Sequence, residues 1–218
     1  MNVNSPLTLY SFFRSSAAYR VRIALALKGL PYDYAAVRIS GGKQFEPAFR
    51  RVNAQSLVPV LESDGHYLTQ SLAIIEFLEE THPHPALLPS NVLDRQRVRS
   101  LALSVACEIH PLNNLRVLGY LTGTLGLSEE HKLAWYRHWV TKGFEALEAR
   151  LAEDPRTGVF CHGDIAGYGD VVLVPQVANA RRFGVDLSAF PTIVRIDAAC
   201  RDLPPFREAA PGNQPDSE

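Results

Sequence analysis

A run of prolines divides the sequence into two parts with different patterns. Pro83, Pro85 and Pro89 fall within residues 82–89, where neither a helix nor a strand can continue. Before this stretch, short apolar segments alternate with segments of helical period, whereas after it every patterned segment is helical. The length of 218 residues corresponds to roughly 1.5 average domains. We therefore expect two domains, residues 1–84 and 90–218, joined by a stiff linker.

The first part predicts a small mixed sheet with helices. Residues 7–10 and 32–39 have the pattern of strands, and the helix between them begins at Ser16 and ends before Gly29. A short helix is expected near residues 44–52. A hairpin with its turn at Asp64-Gly65 follows, and then a helix capped by Ser71. The order is βαβ followed by ββα, in which the first two strands are parallel and the hairpin is antiparallel.

The second part predicts helices alone. Residues 94–125 are expected to form one long helix kinked at Pro111, followed by helices near residues 128–154, 170–182 and 191–201. Residues 204–218 contain four prolines and are expected to lie loosely on the surface. The predicted fold class is thus α/β followed by all-α.

Charge and cysteine content exclude several classes of protein. The chain has 22 Lys and Arg against 23 Asp and Glu, so it lacks the basic excess of a nucleic-acid binder. Its three cysteines are widely spaced and suit a reducing compartment better than a disulfide framework. It has neither a bilayer-spanning apolar run nor a signal-peptide pattern. We expect a cytoplasmic protein with no metal site and no nucleic-acid or membrane partner.

Four segments, taken together and in order, resemble a known family. They are residues 15–25 (SSAAYRVRIAL), 57–61 (LVPVL), 70–76 (QSLAIIE) and 173–180 (LVPQVANA). They resemble the cytosolic glutathione transferases, and within them the zeta class, which includes maleylacetoacetate and maleylpyruvate isomerases. The resemblance extends over about residues 7–216. It implies an N-terminal thioredoxin-like domain that binds glutathione as a cofactor, a C-terminal α-helical substrate-binding domain, and a homodimer.

The catalytic positions of the family fall at the start of a predicted helix. A hydroxyl and backbone N–H groups at a helix N-terminus favour an anion, because these donors and the helix dipole both stabilise negative charge. An ordinary helix cap is the alternative interpretation. The resemblance implies that Ser15 stabilises the glutathione thiolate, with Ser16 as an alternative or helper and Arg14 beside it.

Further positions are implied to bind the rest of glutathione. Gln70 and Ser71 open a helix and would hold the γ-glutamyl carboxylate. The peptide bond between Val58 and Pro59 is implied to be cis, so that the backbone of Val58 pairs with the cysteinyl backbone of glutathione; a strand-initiating proline is the alternative. Three weaker contacts are implied as well, with locally satisfied polar residues as the alternative; they are Gln55, His110 and Asn114.

Basic residues are expected to bind the second substrate. Maleylacetoacetate and maleylpyruvate are dianions, and guanidinium groups bind carboxylates in a fork geometry. The resemblance implies that Arg14, Arg116 and Arg182 line one cleft. Two positions depart from the family pattern. Ala17 replaces the zeta-class cysteine, which puts thiol-exchange side activities in doubt, and Gly167 replaces the usual Ser or Thr of a capping box while Asp170 remains.

The leading hypothesis is a glutathione-dependent cis–trans isomerase that acts on maleylacetoacetate, with maleylpyruvate as the close alternative. The second hypothesis is a general glutathione transferase that consumes glutathione on electrophiles such as α-halo acids. The third is a non-catalytic binding protein that retains the fold. Stoichiometric loss of thiol would favour the second, and failure to bind glutathione at millimolar concentration would favour the third.

Overall fold

The proline-rich stretch ends one compact unit of the chain and begins another. The computed structural model describes residues 6–217. Residues 6–87 and 201–217 form the first unit, and residues 88–200 form the second. The first boundary lies within the predicted linker. Residues 201–217, which we call the tail segment, belong to the first unit, whereas the sequence pattern had placed them in the helical domain.

The first unit is a four-stranded mixed sheet with helices. Its elements in chain order are β1 (Thr8–Ser11), α1 (Ser16–Leu27), β2 (Asp33–Ala36), α2 (Pro47–Val52), β3 (Val60–Ser63), β4 (His66–Thr69) and α3 (Ser71–Thr81). The strand order is β2-β1-β3-β4, with β1 and β2 parallel and the other neighbours antiparallel. The predicted order of βαβ followed by ββα is confirmed.

Alternation along the central strands gives the sheet two apolar faces. Leu9 lies opposite Leu61, and both side chains are fully buried on one face. Tyr10 lies opposite Val60 on the other face, where Val60 belongs to a core cluster with Phe49 of α2. Helices α1 and α3 pack against each other. The central strand β1 is therefore held on both faces, which fixes the loop that leads from it into α1.

The second unit is helical. Its helices are α4 (Val92–Leu103), α5 (Leu115–Gly123), α6 (Glu129–Glu153), α7 (Tyr168–Arg182) and α8 (Pro191–Arg201). Residues 171–177 of α7 are all buried, so this helix forms the centre of the unit. Asp170 accepts hydrogen bonds from the backbone N–H of Gly167 and of Cys161, which confirms that it serves the start of α7. Among residues 6–217, no helix is both long and apolar enough to cross a bilayer.

The prediction of a single long helix over residues 94–125 is wrong. Helix α4 ends at Leu103, and a π-helical segment (Ser104–Ile109) and a 3₁₀ turn (Pro111–Asn113) separate it from α5. Proline lacks the N–H that would continue the helix, and its ring collides with the preceding turn. Asn114 then starts a new helix, because its side-chain Oδ1 accepts from the backbone N–H of Arg116 at 3.1 Å.

The prediction of a loose surface tail over residues 204–218 is also wrong for residues 204–217, which the structure describes. A ninth helix, α9 (Pro204–Glu208), packs against α1, and a 3₁₀ turn (Pro211–Asn213) follows it. The side chain of Phe206 is fully buried. Proline at the first positions of short helices is compatible with regular structure, which the count of prolines alone had obscured.

Candidate active site

Ser15 occupies the N-cap position of α1. Its Oγ accepts a hydrogen bond from the backbone N–H of Ala18 at 3.2 Å, and its side chain is half-buried. As an acceptor in that bond, the hydroxyl keeps its own proton for donation to a ligand. The first turn of α1 contains no acidic side chain, so the helix itself supplies no carboxylate that would neutralise its positive end. The geometry favours an anion beside Ser15.

The two neighbours of Ser15 have different environments. Ser16 is buried in the first turn of α1. Arg14 is exposed, and its guanidinium carbon lies 4.7 Å from the ring centroid of Phe13. Ala17, which stands where the zeta class has a cysteine, is half-buried and offers no thiol. Ser15 is therefore the more accessible hydroxyl of the two serines.

The start of α3 is a second anion-favouring terminus. Gln70 has a φ of 69°, a strained value for a residue with a side chain, which is typical of functional positions. Gln70 is the N-cap residue of α3, and Ser71 is the first residue of the helix. The prediction that Ser71 caps this helix is therefore wrong. The exposed Gln70 donates from Nε2 to Oε1 of Gln55 at 3.0 Å. The structure thus brings together two of the predicted glutathione contacts.

A buried guanidinium lies at the start of α3. Nη1 of Arg20 donates to Oγ of Ser71 at 3.3 Å, and Arg20 is only 2% exposed. Arg20 lies on α1 four residues after Ser16, about one turn further along the helix. This arginine connects the two helix termini and adds positive charge near Ser71. Its role was not predicted from the sequence, although an arginine within the apolar stripe of a predicted helix was a signal.

The loop before β3 adopts the predicted backbone. The peptide bond between Val58 and Pro59 is cis. Val58 packs against the core cluster that includes Val60, and the ladder pairs of β3 begin only at Val60. Asn53 stabilises this loop, since its Nδ2 donates to the carbonyl of Leu57 at 2.8 Å. Val58 therefore lies just outside the sheet ladder, at the position from which a strand can be extended.

The remaining predicted residues belong to the second unit. His110 is half-buried in the segment between α4 and α5, and its backbone N–H donates to the carbonyl of Val105. Asn114 caps α5, which fits the alternative of a locally satisfied polar residue. Arg116 is exposed in the first turn of that helix, close in sequence to both.

Arg182 lies in a different, aromatic neighbourhood. It is the exposed last residue of α7, and its guanidinium carbon is 5.1 Å from the ring centroid of Phe183. Phe183 stacks on Tyr136 with ring centroids 3.8 Å apart. Burial raises the pKa of Tyr136 above its usual value, an effect that the nearby charge of Arg182 opposes. Tyr136 therefore remains a neutral hydroxyl at physiological pH.

The chain's buried thiols are not candidate nucleophiles. Burial raises the pKa of both Cys161 and Cys200, so these groups remain protonated at neutral pH. In residues 6–217, no group of three or more His, Cys, Asp or Glu side chains is arranged to hold a metal ion. The helix starts at Ser15 and Gln70 instead provide two positive termini that can bind an anionic ligand. In such a site the ligand, and not the protein, would supply the nucleophile.

Comparison with known proteins identifies the family. The family model described as the glutathione S-transferase N-terminal domain matches residues 14–81. The chain is 51% identical to a probable maleylacetoacetate isomerase of Vibrio cholerae, over 97% of this chain and 98% of the relative. It is 51% identical to a holo structure of maleylpyruvate isomerase, described as a bacterial zeta-class glutathione S-transferase, with a TM-score of 0.95 and coverage of 97% and 100%.

A third relative was solved with ligands in its active site. It is a maleylacetoacetate isomerase from Anaeromyxobacter dehalogenans with bound dicarboxyethyl glutathione and citrate. The chain is 46% identical to it, with a TM-score of 0.87, and each covers 98% of the other. The predicted fold, a thioredoxin-like domain followed by a helical one, is confirmed by these matches. The chain belongs to the glutathione transferase family, within its zeta class.

Proposed function

We propose that this chain is a glutathione-dependent cis–trans isomerase that converts maleylacetoacetate to fumarylacetoacetate in aromatic catabolism. The observation that carries the proposal is the 51% identity, over 97% of the chain, to a probable maleylacetoacetate isomerase. The arrangement of Ser15 at the start of α1 supports it, because this reaction needs a stabilised thiolate. The equal identity to a maleylpyruvate isomerase makes maleylpyruvate the alternative substrate.

Glutathione binds to the first unit in this proposal. The hydroxyl of Ser15 donates to the sulfur, and the positive end of α1 lowers the thiol pKa. The γ-glutamyl carboxylate lies at the start of α3, beside Gln70 and Ser71, where Arg20 adds a buried positive charge. The backbone of Val58 pairs with the cysteinyl peptide group, as an added strand would.

The reaction uses the thiolate as a nucleophile that is returned unchanged. The thiolate forms a C–S bond with one carbon of the cis double bond, and the π electrons move to the conjugated carbonyl as an enolate. The former double bond is now single and rotates. The enolate then re-forms the double bond in the trans geometry and expels the thiolate. No proton or electron is gained or lost overall, so glutathione acts as a cofactor.

Arginines hold the dianionic substrate and the developing charge. We infer that Arg14, Arg116 and Arg182 bind the substrate carboxylates and stabilise the enolate. A solved relative has dicarboxyethyl glutathione and citrate bound in its active site, which supports a site that accepts glutathione together with carboxylate groups. In this proposal the first unit binds the cofactor, and residues 90–200 supply most of the substrate site.

A two-substrate assay tests the proposal. Purified chain is mixed with maleylacetoacetate or maleylpyruvate, with and without glutathione, and conversion to the fumaryl product is followed. We expect conversion only with glutathione, and a higher kcat/KM for maleylacetoacetate. Preference for maleylpyruvate would select the alternative substrate, and turnover of neither compound would refute the isomerase.

Removal of one arginine tests the substrate site. R116A should raise the KM for the dianionic substrate by about tenfold or more, because a charge-assisted hydrogen bond contributes about 1.5–3 kcal/mol, while the KM for glutathione stays unchanged. The matched control is K142A, which removes an exposed cation from α6 of the same unit. Equal effects of both variants would show that general charge, and not Arg116, is responsible.

We also propose that the chain forms a homodimer through α4. Its apolar residues Val92 and Leu103 are 78% and 45% exposed, and they line one groove together with Cys107. A second copy of this chain would bury them. Light scattering should give twice the 24.1 kDa mass of one chain, and a V92E/L103E variant should be monomeric. Cys107, Cys161 and Cys200 are all free thiols, which suits a reducing compartment and supports a cytoplasmic location.

A further inference from the structure

The tail segment contacts the loop that carries Ser15. The hydroxyl of Tyr19, on α1, donates to the carbonyl of Phe206 at 3.1 Å, and both residues are buried. Helix α9 thus attaches to the same helix that Ser15 caps. The side chain of Asp216 reaches further, to the residues immediately before Ser15.

Asp216 joins the loop to the sheet. One of its oxygens, Oδ2, accepts from the backbone N–H of Phe13 at 3.2 Å, and Oδ1 accepts from the hydroxyl of Tyr34 in β2 at 2.6 Å. Phe13 precedes Ser15 by two residues. Burial and this hydrogen bond raise the pKa of Tyr34 above its usual value, so the hydroxyl remains a donor across the physiological pH range. The carboxylate of Asp216 therefore fixes the position of Phe13 relative to β2.

Arg22 holds the same loop from the protein interior. This fully buried side chain donates from Nη2 to the carbonyl of Phe13 at 3.0 Å and from Nη1 to Oγ of Ser11 at 3.2 Å. Its Nε donates to the carbonyl of Ala209, in the tail segment, at 3.0 Å. Burial lowers the pKa of Arg22, and the negative charge of Asp216 is among the influences that oppose this. The tail segment therefore supplies the buried guanidinium with one of its backbone acceptors.

The loop between β1 and α1 is thus held by Asp216, which belongs to the tail segment, and by Arg22, which is itself bonded to the tail segment. The backbone N–H of Ser15 donates to the carbonyl of Phe12 at 2.9 Å, so a shift of Phe12 or Phe13 moves Ser15 directly. Hydrogen bonds to a reacting atom depend steeply on distance and angle. We propose that the tail segment is a positioning element for thiol activation, and that Asp216 sets the orientation of the Ser15 hydroxyl toward the sulfur of glutathione.

This inference rests on the proposed function, since it assumes that Ser15 meets a thiolate. It assigns Asp216 a positioning role through Phe13, without contact with the substrate. A merely structural role would change stability alone. A positioning role also changes the pKa of the bound thiol, and that is the distinguishing quantity.

The experiment compares D216A, D216N and E208A. Each alanine variant removes one carboxylate from the tail segment, but the side chain of Glu208 is exposed, so E208A is the matched control. The pKa of the thiol of bound glutathione is read from thiolate absorbance against pH, without second substrate, and kcat/KM is measured over the same range. We expect D216A to reduce the thiolate fraction at neutral pH by about 3- to 10-fold, with activity regained at higher pH. D216N, which retains an acceptor for Phe13, should lie between D216A and wild type.

The outcomes separate this inference from the proposed function. If D216A lowers Tm but leaves the thiol pKa at the wild-type value, the tail segment is structural and the inference is overturned. If D216A does not fold, Y34F removes only the hydroxyl donor to Asp216 and should raise the thiol pKa by a smaller amount; no change in a folded Y34F also overturns it. A wild-type chain that lowers the thiol pKa but isomerises neither substrate refutes the isomerase alone. Failure to bind glutathione refutes both.

Discussion

Replacing Ser15 by alanine removes two interactions with separate consequences. Its Oγ caps α1 through the 3.2 Å bond from Ala18, and loss of such a cap costs about 1 kcal/mol of stability. Its O–H is proposed to donate to the thiolate, and a hydrogen bond to a charged group contributes about 1.5–3 kcal/mol. One pKa unit equals about 1.36 kcal/mol, so the thiol pKa of bound glutathione should rise by about 1–2 units in S15A. The thiolate fraction below that pKa should fall about 10- to 100-fold.

Two further variants separate capping from thiol activation. Glycine at an N-cap costs only a few tenths of a kcal/mol relative to serine, so S15G keeps most of the stability of α1 but lacks the hydroxyl. We expect S15G to share the raised thiol pKa of S15A with a smaller loss of Tm. S15T, which retains a hydroxyl, should stay nearer to wild type in both properties.

Thiolate absorbance against pH and thermal unfolding provide the two measurements. A cap loss of about 1 kcal/mol should lower Tm by about 2–4 °C in a chain of this size. The reasoning is refuted if S15A leaves the thiol pKa unchanged, or if S15G restores the wild-type value. A shift in S16A with none in S15A would assign the hydroxyl to Ser16 and contradict the account.

Two other substitutions test the packing and electrostatics of the second unit. A hydrogen bond from Arg156, above all, lowers the pKa of Asp154 below its usual 3.8, so ionised Asp154 stabilises the folded state above that pH and the effect is lost as pH falls. D154N should therefore be less stable than wild type at neutral pH, and the two should converge in acid unfolding; a constant difference would contradict this. G143A should destabilise by about 1–3 kcal/mol, because the new methyl would collide with the buried side chain of Ile109. The control G119A, on a helix with open space, should be neutral or stabilising in denaturant unfolding.

The order of elements was predictable from periodicity and from turn residues. The stripe that begins at Tyr19 predicted α1, and the Asp64-Gly65 pair predicted the turn of the hairpin, because burial on one face and left-handed turn geometry leave local signals. The break near Pro111 was harder, since a proline permits either a kink or a new helix. The cap formed by Asn114 shows that a new helix begins, and this cap can be recognised only once the conformation of the residues after it is known.

Much of the candidate site was predictable from position at helix starts, and the supporting contacts were not. Ser15 and Gln70 precede helices whose starts are visible in the sequence. Arg20, Arg22 and Asp216 act through contacts between residues far apart in the chain, with Arg22 and Asp216 connecting residues 11–34 to residues 209–216. The tail segment lacked periodicity, so its packing could not be predicted from local pattern.

The claim at the centre of this account is that glutathione is a cofactor and not a co-substrate. It is tested most directly by titrating free thiol while the fumaryl product forms from maleylacetoacetate, with glutathione limiting. The account predicts many product molecules for each glutathione, with the free thiol concentration unchanged at the end. Loss of one thiol for each product molecule would contradict it and would show a transferase that consumes glutathione.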